Sequence, residues 1–287
     1  EDSSLILNWK DRDLNKYDFT AYDRSAEKFQ KMSQKLLSKR LLNQVGIYTP
    51  SGLANKEFIE NLAGNYIIFN NSSNVVRGGA LSTAGYNGGD IITVVAEAIN
   101  EPTDNGNTYE VNGWLNPPNY SMYTALSSRT WFLDLLEKAG LYNSKTYEFN
   151  FLSEGEAYSI FVPSEQALLN YGADTIDLEE LQQLLKYHFV KGIRIFTDGR
   201  VPSGDFGTLR IDESSTPLFT RFTPMTIHTG ADIIDIYDQS SNLLGTINEL
   251  ENVTNVMITT GTDEDSNSAF DNITTAILHE IDFVIHK

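Results

Sequence analysis

Apolar residues recur at helical spacing in several stretches of the chain. Over residues 25–42 this spacing predicts a basic amphipathic helix, which packs one face on a core or, alternatively, binds a partner. A second helix is predicted over residues 123–139, because Gly140 stands where a left-handed residue would end it. Further helices are predicted after Ser164 and Asp177, since both are good N-caps and Asp177 begins a capping box, DLEE.

Short β-rich runs predict strands elsewhere in the chain. The predicted strands cover residues 66–69, 91–95, 158–162, 224–228, 233–237, 256–260 and 281–286. The sequence PPN at 117–119 breaks regular structure and is the best boundary, giving domains over 1–118 and 119–287. Because helices come early and strands late in each half, the pattern favours an α+β fold over alternating β-α-β units.

Composition and charge limit the classes of partner and of chemical site that the protein can have. The chain has 287 residues, 40% hydrophobic and 21% charged, which is enough apolar surface for two packed domains. Its net charge of -18 excludes nucleic acid as an expected partner, because phosphate binding needs clustered Lys and Arg. An acidic surface is compatible with Ca²⁺, neutral sugars or basic partners. The absence of cysteine removes disulfides, thiolate metal sites and cysteine nucleophiles.

The sequence contains no apolar run of about 18 residues, the length that spans a bilayer. It opens with EDSS and lacks a basic, apolar leader. We therefore expect any export signal or lipidated cysteine to lie upstream, so membrane contact would come only through such an anchor.

No catalytic motif emerges from the sequence. The four histidines do not share a metal-binding spacing, and neither a Gly-x-Ser-x-Gly elbow nor a phosphate-binding glycine loop is present. Carboxylate pairs are common in any acidic chain and say little. We therefore predict that the protein is not an enzyme and uses no cofactor or metal. A hydrolase remains the alternative that a cleft of converging carboxylates would favour.

Four motifs of the second half occur in the order of a known family. They are LLEKAGL at 135–141, YSIFVPSEQA at 158–167, LLKYHFV at 184–190 and LHEIDFVI at 278–285. Each motif is weak alone, but together over residues 121–287 they resemble the fasciclin domain. The resemblance implies that six signature residues are structural: Phe161, Pro163, Tyr187, His188, His279 and Asp282.

The resemblance implies a fasciclin-like α+β fold, with helices in the first half and a β-rich second half, preceded by a partial second copy. That copy, partial or divergent over residues 1–118, rests on YEVNGWL at 109–115, which is similar to the closing motif. In animal members the Tyr-His region is linked with integrin binding, but we expect His188 to bond internally.

The function that the resemblance implies is binding or adhesion at the cell surface or outside the cell. The partner would be a surface protein or a glycan. The alternative is an accessory glycan-binding protein of a bacterial outer-membrane polysaccharide-utilisation system, located as an outer-membrane lipoprotein or in the periplasm.

Two segments exceed what the family usually has and are the candidate binding sites. The first covers residues 142–156, where Tyr147 and Phe149 could hold a flat apolar or sugar face. Its alternative is a packed hairpin. The second covers residues 261–272, where Asp263 and Asp265 could hold Ca²⁺ or a basic partner. Its alternative is a solvated turn.

Overall fold

The fold comes from a computed structural model. The residues that it describes are 5–6, 20–23, 28–31, 34–73, 75–79, 92–94, 101–103, 106–116, 118, 121–153, 155–216, 219–259 and 274–287.

The N-terminal part of the described chain is mostly β-structure. Its elements are β1 (Leu5–Ile6), β2 (Thr20–Asp23), β3 (Lys28–Lys31), α1 (Gln34–Leu42), β4 (Lys56–Glu60), β5 (Tyr66–Asn70), β6 (Val75–Arg77), β7 (Ile92–Thr93), β8 (Glu101–Thr103) and β9 (Gly106–Thr108). Strands β4 to β7 form one antiparallel sheet in chain order, while β1 to β3 and the β8–β9 pair form two smaller sheets.

The C-terminal part begins with helices and ends with strands. Its elements are α2 (Met122–Leu126), α3 (Thr130–Lys138), β10 (Tyr142–Asn143), β11 (Glu148–Phe149), β12 (Tyr158–Pro163), α4 (Glu165–Tyr171), α5 (Leu178–Tyr187), β13 (Phe189–Lys191), β14 (Gly204–Ile211), β15 (Phe222–Gly230), β16 (Ile233–Tyr237), β17 (Leu243–Asn248), β18 (Val256–Thr259) and β19 (Thr274–Ile281). The expected α+β fold is confirmed, with helices first and a β-rich second half.

One eight-stranded sheet organises this part, in the order β17-β16-β15-β14-β13-β12-β19-β18. Strands β12 and β19 pair in parallel, and the other neighbours are antiparallel. Every residue of β12 is buried, which agrees with its sequence YSIFVP, apolar except for the hydroxyl groups of Tyr158 and Ser159. One core packs the sheet against α2 to α5, and a second lies among β13, β15, β16 and β17.

The predicted helix ends match the structure where a side-chain cap or a left-handed residue defines them. Ser164 Oγ accepts a hydrogen bond from the Ala167 amide at 3.2 Å, and Asp177 Oδ1 accepts one from the Glu180 amide at 2.9 Å. Gly140 adopts a φ of 69°, directly after the C-cap of α3. These local rules hold because they depend only on neighbouring residues.

Three predicted elements are wrong in their extent. The helix over 123–139 is two helices, because Arg129 leaves helical geometry with φ -121° and ψ 55°. The helix over 25–42 begins only at Gln34, since residues 28–31 pair with β2. The strand over 281–286 ends at its first residue, because its partner β12 ends at Pro163 and offers no further pairing.

The predicted domain boundary at 117–119 lies largely outside the described residues. The division into 1–118 and 119–287 therefore stays a prediction, as does the partial second copy. What the structure does show is that the sheet of β4 to β7 packs against the C-terminal part through aromatic rings. Phe58 stacks on Phe196 at 4.4 Å between ring centroids, and Tyr66 lies 4.6 Å from Phe196.

A buried ionic cluster joins the two parts beside these rings. Glu57 is only 1% exposed and pairs with Arg200, whose guanidinium also lies 4.2 Å from the ring centre of Tyr48. Burial opposes ionisation of Glu57, but hydrogen bonds from Ser51, Asn71 and the Gly52 amide outweigh it and lower its pKa to about 2. The carboxylate is thus held ionised at the junction.

A second polar cluster joins the same two parts around Glu249. Its Oε1 accepts from Lys56 Nζ at 2.6 Å, while Oε2 accepts from the hydroxyl groups of Thr197 at 2.6 Å and Thr254 at 2.5 Å. Asn55 adds two hydrogen bonds to the carboxylate of Asp232, both at 2.8 Å. Such directional contacts fix the orientation of the N-terminal sheet on the C-terminal part.

We expect Arg200→Met to lower the free energy of unfolding by about 2 kcal/mol, because the buried Glu57 loses its counter-charge. Urea unfolding followed by circular dichroism measures this. The matched control is Lys191→Met, which breaks the more exposed pair with Glu156 at 3.0 Å. That loss should stay below about 1 kcal/mol. Equal losses in the two variants would contradict a structural role for the Glu57–Arg200 pair.

Candidate functional site

Tyr187 and His188 lie inside the fold at the end of α5, with exposures of 1% and 0%. The Tyr187 hydroxyl donates to the Pro224 carbonyl at 2.9 Å. His188 Nδ1 lies 2.9 Å from the Leu184 carbonyl, and Nε2 accepts from the Ile285 amide at 3.1 Å. These partners fix the neutral tautomer with hydrogen on Nδ1. Both side chains are occupied internally, so neither faces a ligand.

His279 occupies a similar internal position in the parallel ladder. Its Nε2 lies 2.9 Å from the Ile195 carbonyl, while the Asn255 amide points at Nδ1 from 3.5 Å. The ring stacks on Phe161, its ladder neighbour, at 5.5 Å between centroids. Pro163 is also buried, but Asp282 is exposed. The structural role of these six signature residues stays a proposal, which their burial supports for all except Asp282.

Burial controls the charge of both internal histidines. Desolvation lowers the pKa of His188 and of His279 to about 4, against 6.5 for a free imidazole. The carbonyl that accepts from each ring opposes this effect and does not overcome it. Both rings are therefore neutral at physiological pH.

The candidate segment over 142–156 forms a short hairpin of β10 and β11. Tyr142 and Phe149 face each other across it, with ring centroids 4.8 Å apart. Phe149 is half-buried and packs against the main core, which supports the packed-hairpin alternative for this residue. Tyr147 differs, because its side chain is 56% exposed at the turn.

Tyr147 does not stand alone at the hairpin tip. Its ring lies 4.5 Å from that of Tyr123 on α2, and Tyr123 in turn stacks on Tyr142 at 6.4 Å. Tyr123 is 37% exposed, so two neighbouring rings reach solvent together. We call Tyr123 and Tyr147 the tyrosine pair. The sequence indicated Tyr123 only as the first residue of a predicted helix, and its proximity to Tyr147 depends on the tertiary fold.

The backbone at Tyr147 is unusual for a bulky side chain. Its φ of 58° lies in the left-handed region, which glycine and asparagine adopt more easily. The preceding residues support this turn, since Asn143 Oδ1 accepts from the Lys145 amide at 3.0 Å. Asparagine would adopt this backbone conformation at lower cost than tyrosine, so the turn holds an exposed aromatic ring at some expense in strain.

The other candidate segment, residues 261–272 with Asp263 and Asp265, lies outside the described residues. Its role in binding Ca²⁺ or a basic partner stays a prediction. Among the residues that the structure describes, no three His, Asp or Glu side chains gather in a way that could hold a metal ion.

One comparison with known protein families shows a similarity over part of the chain. The model of the fasciclin domain matches residues 127–254, which run from just before α3 to just before β18. The closing motif LHEIDFVI lies beyond this match, yet β18 and β19 belong to the same eight-stranded sheet. Domains of this family generally serve adhesion without catalysis and are typical of extracellular and cell-surface proteins. No curated protein matches the chain significantly. None of the described helices is long and apolar enough to cross a bilayer.

The low pKa values of His188 and His279 predict a loss of stability in mild acid. The unfolded rings take up a proton near pH 6.5 and the folded rings only near pH 4, so the unfolded state binds more protons between these values. Lowering the pH from about 7 to about 5 should therefore cost about 2 kcal/mol per histidine.

The measurement is urea unfolding of the wild type and of His279→Gln at both pH values. Glutamine can still donate to the Ile195 carbonyl but does not titrate, so the variant should lose about 2 kcal/mol less on acidification. Carboxylates titrate equally in both proteins and cancel in this difference. An identical pH dependence would show that His279 is not held neutral.

Proposed function

We propose that the protein is a non-catalytic binding and adhesion protein acting at the cell surface or outside the cell, because residues 127–254 match the model of the fasciclin domain. The observation that carries the proposal is the tyrosine pair. Tyr147 exposes more than half of its side chain at a turn that favours a smaller residue, and its ring rests on Tyr123. Tyr147 and Phe149 were the aromatic candidates, and the proposal keeps Tyr147 as the contact residue and Phe149 as its support.

The hairpin supports recognition because its base is rigid. Phe149 and Tyr142 anchor it to the core, and the Asn150 amide donates to the Leu141 carbonyl at 3.0 Å. Tyrosine rings on such a base bury a large area on binding while losing little conformational entropy. Binding would therefore proceed by surface complementarity, with a flat apolar or sugar face laid on the rings.

The charge of the protein limits what the tyrosine pair can meet. At a net charge of -18, long-range repulsion disfavours anionic surfaces and leaves neutral or basic ones. A neutral glycan or a basic surface protein fits this condition. The narrower alternative, an accessory glycan-binding protein of a bacterial outer-membrane system, would use the same rings on a sugar face. Secretion, or anchoring through a lipid, is also part of the proposed function.

Tyr147→Asn tests the proposal at the residue that carries it. Asparagine accepts a positive φ, so the free energy of unfolding should stay within about 0.5 kcal/mol of the wild type or rise. Binding should weaken about tenfold or more, since an exposed aromatic contact is lost. The measurement is the binding of labelled protein to an array of glycans and to immobilised collagen, fibronectin and laminin.

The matched control is Tyr171→Ser, which removes a tyrosine that is also 37% exposed but lies at the end of α4. This variant should bind like the wild type. Full binding by Tyr147→Asn would remove the hairpin from the proposal. If the wild type bound nothing on either surface, the adhesion proposal itself would fail. Binding of the wild type to glycans but to none of the immobilised proteins would favour the accessory glycan-binding role.

A further inference from the structure

A separate cleft of about 360 Å³ lies where α3, the end of β12, the start of α4 and β19 meet. Its lining combines one aromatic residue, two aliphatic residues and four polar ones: Trp131, Val162, Leu169, Ser164, Glu165, Gln166 and Glu280. We call it the Trp131 cleft. Its volume falls in the range of small-ligand sites.

The aromatic side of the cleft is fixed in place. Trp131 Nε1 donates to the Pro163 carbonyl at 2.9 Å, and the half-buried ring packs against the main core. Because the N–H group is occupied, Trp131 offers a ligand only apolar surface. Leu169, 56% exposed on α4, adds a second apolar group. A ligand must therefore present an apolar face of its own.

The polar side of the cleft is rich in hydrogen-bond acceptors. Glu280 Oε1 is held by the guanidinium of Arg129, which is 1% exposed and also donates to the Ala125 carbonyl. Gln166 Nε2 donates one of its two hydrogens to Asn170 Oδ1 at 2.8 Å, and its amide oxygen can accept a hydrogen bond from a ligand. A ligand must therefore bring several donors as well as an apolar face.

A sugar ring in the pyranose form meets both conditions, with hydroxyl donors around its edge and C–H groups on its face. A cation fits less well beside Glu280, because Arg129 already neutralises that carboxylate and would repel a second positive charge, which leaves Glu165 as the one carboxylate of the lining that could attract it. We propose that the Trp131 cleft binds a neutral pyranose, stacked on Trp131 and hydrogen-bonded by Glu280, Glu165 and Gln166. This inference rests on the proposed binding function, but its site is distinct from the tyrosine pair.

The test uses the full chain labelled with 5-fluorotryptophan, so that ¹⁹F NMR reports on Trp131 directly. Trp131→Phe serves only to assign its resonance. The probes are the methyl glycosides of glucose, galactose, mannose and N-acetylglucosamine, each titrated into the millimolar range. We expect at least one of them to shift the Trp131 resonance saturably. The double variant Glu165→Ala/Gln166→Ala should weaken that binding about tenfold, because it removes two polar partners.

Both substituted residues are exposed, so folding should survive, and an unchanged melting temperature verifies this. Glu179→Ala, which removes a carboxylate from the first turn of α5, controls for charge and should bind as the wild type does. No saturable shift with any glycoside would overturn the proposal, as would equal binding by the double variant. A shift with arginine amide alone would also overturn it, by assigning the cleft to a cation.

The two sites fail separately. Tyr147→Asn should leave the glycoside shift intact, since its ring does not line the Trp131 cleft. A glycoside shift without array binding would retain the cleft and refute the tyrosine pair. Binding to the array without a glycoside shift would retain the tyrosine pair and refute the cleft.

Discussion

The parallel pairing of β12 with β19 is the interaction on which the rest of the structure depends. It runs from Tyr158 opposite Ala276 to Pro163 opposite Ile281, and it places two segments that are far apart in the chain at the centre of one sheet. Alternate side chains of β12 enter different cores: Tyr158 faces the helices, whereas Phe161 joins the cluster of β15 and β16. Strand β19 does the same and also reaches a third cluster through Ile277. One ladder therefore connects the helical layer, the β-rich half and the N-terminal sheet.

The N-terminal sheet is attached at that third cluster by apolar and ionic contacts of different character. The rings of Phe58 and Phe196 bury apolar surface, and this contact is not directional. The carboxylates of Glu57 and Glu249, in contrast, each need hydrogen-bond donors in particular positions. The buried apolar surface holds the N-terminal sheet against the C-terminal part, and the hydrogen-bonded carboxylates define one relative orientation. The candidate binding groups lie on other elements, Tyr147 on a hairpin and Trp131 on α3, so the junction stabilises the molecule without occupying either of them.

The sequence correctly predicted features that depend on neighbouring residues. It did not predict the ends of elements that are determined by pairing with distant residues. The caps at Ser164 and Asp177 are local, and both were correct. The end of β19 could not be foreseen, because it is set by where β12 stops. Among the candidate site residues, Tyr147 could be predicted from the sequence, because it is an aromatic residue in an unusually long connection between predicted elements. Trp131 did not, since only tertiary packing shows that its N–H group is satisfied by Pro163 and that its ring borders a cleft.

A central strand that comes from a distant part of the chain also affects the order in which we expect the sheet to assemble. Until β19 docks, β12 has an open edge and is apolar on both faces, and its other neighbour β13 comes from the nearby chain. Pairing between segments so distant in sequence is slow to form. During that interval the vacant place beside β12 can accept an identical strand from another copy, because exposed edges template pairing. Strand exchange between copies is thus the misassembly that we expect of this architecture, and it would place one copy's β19 beside its neighbour's β12.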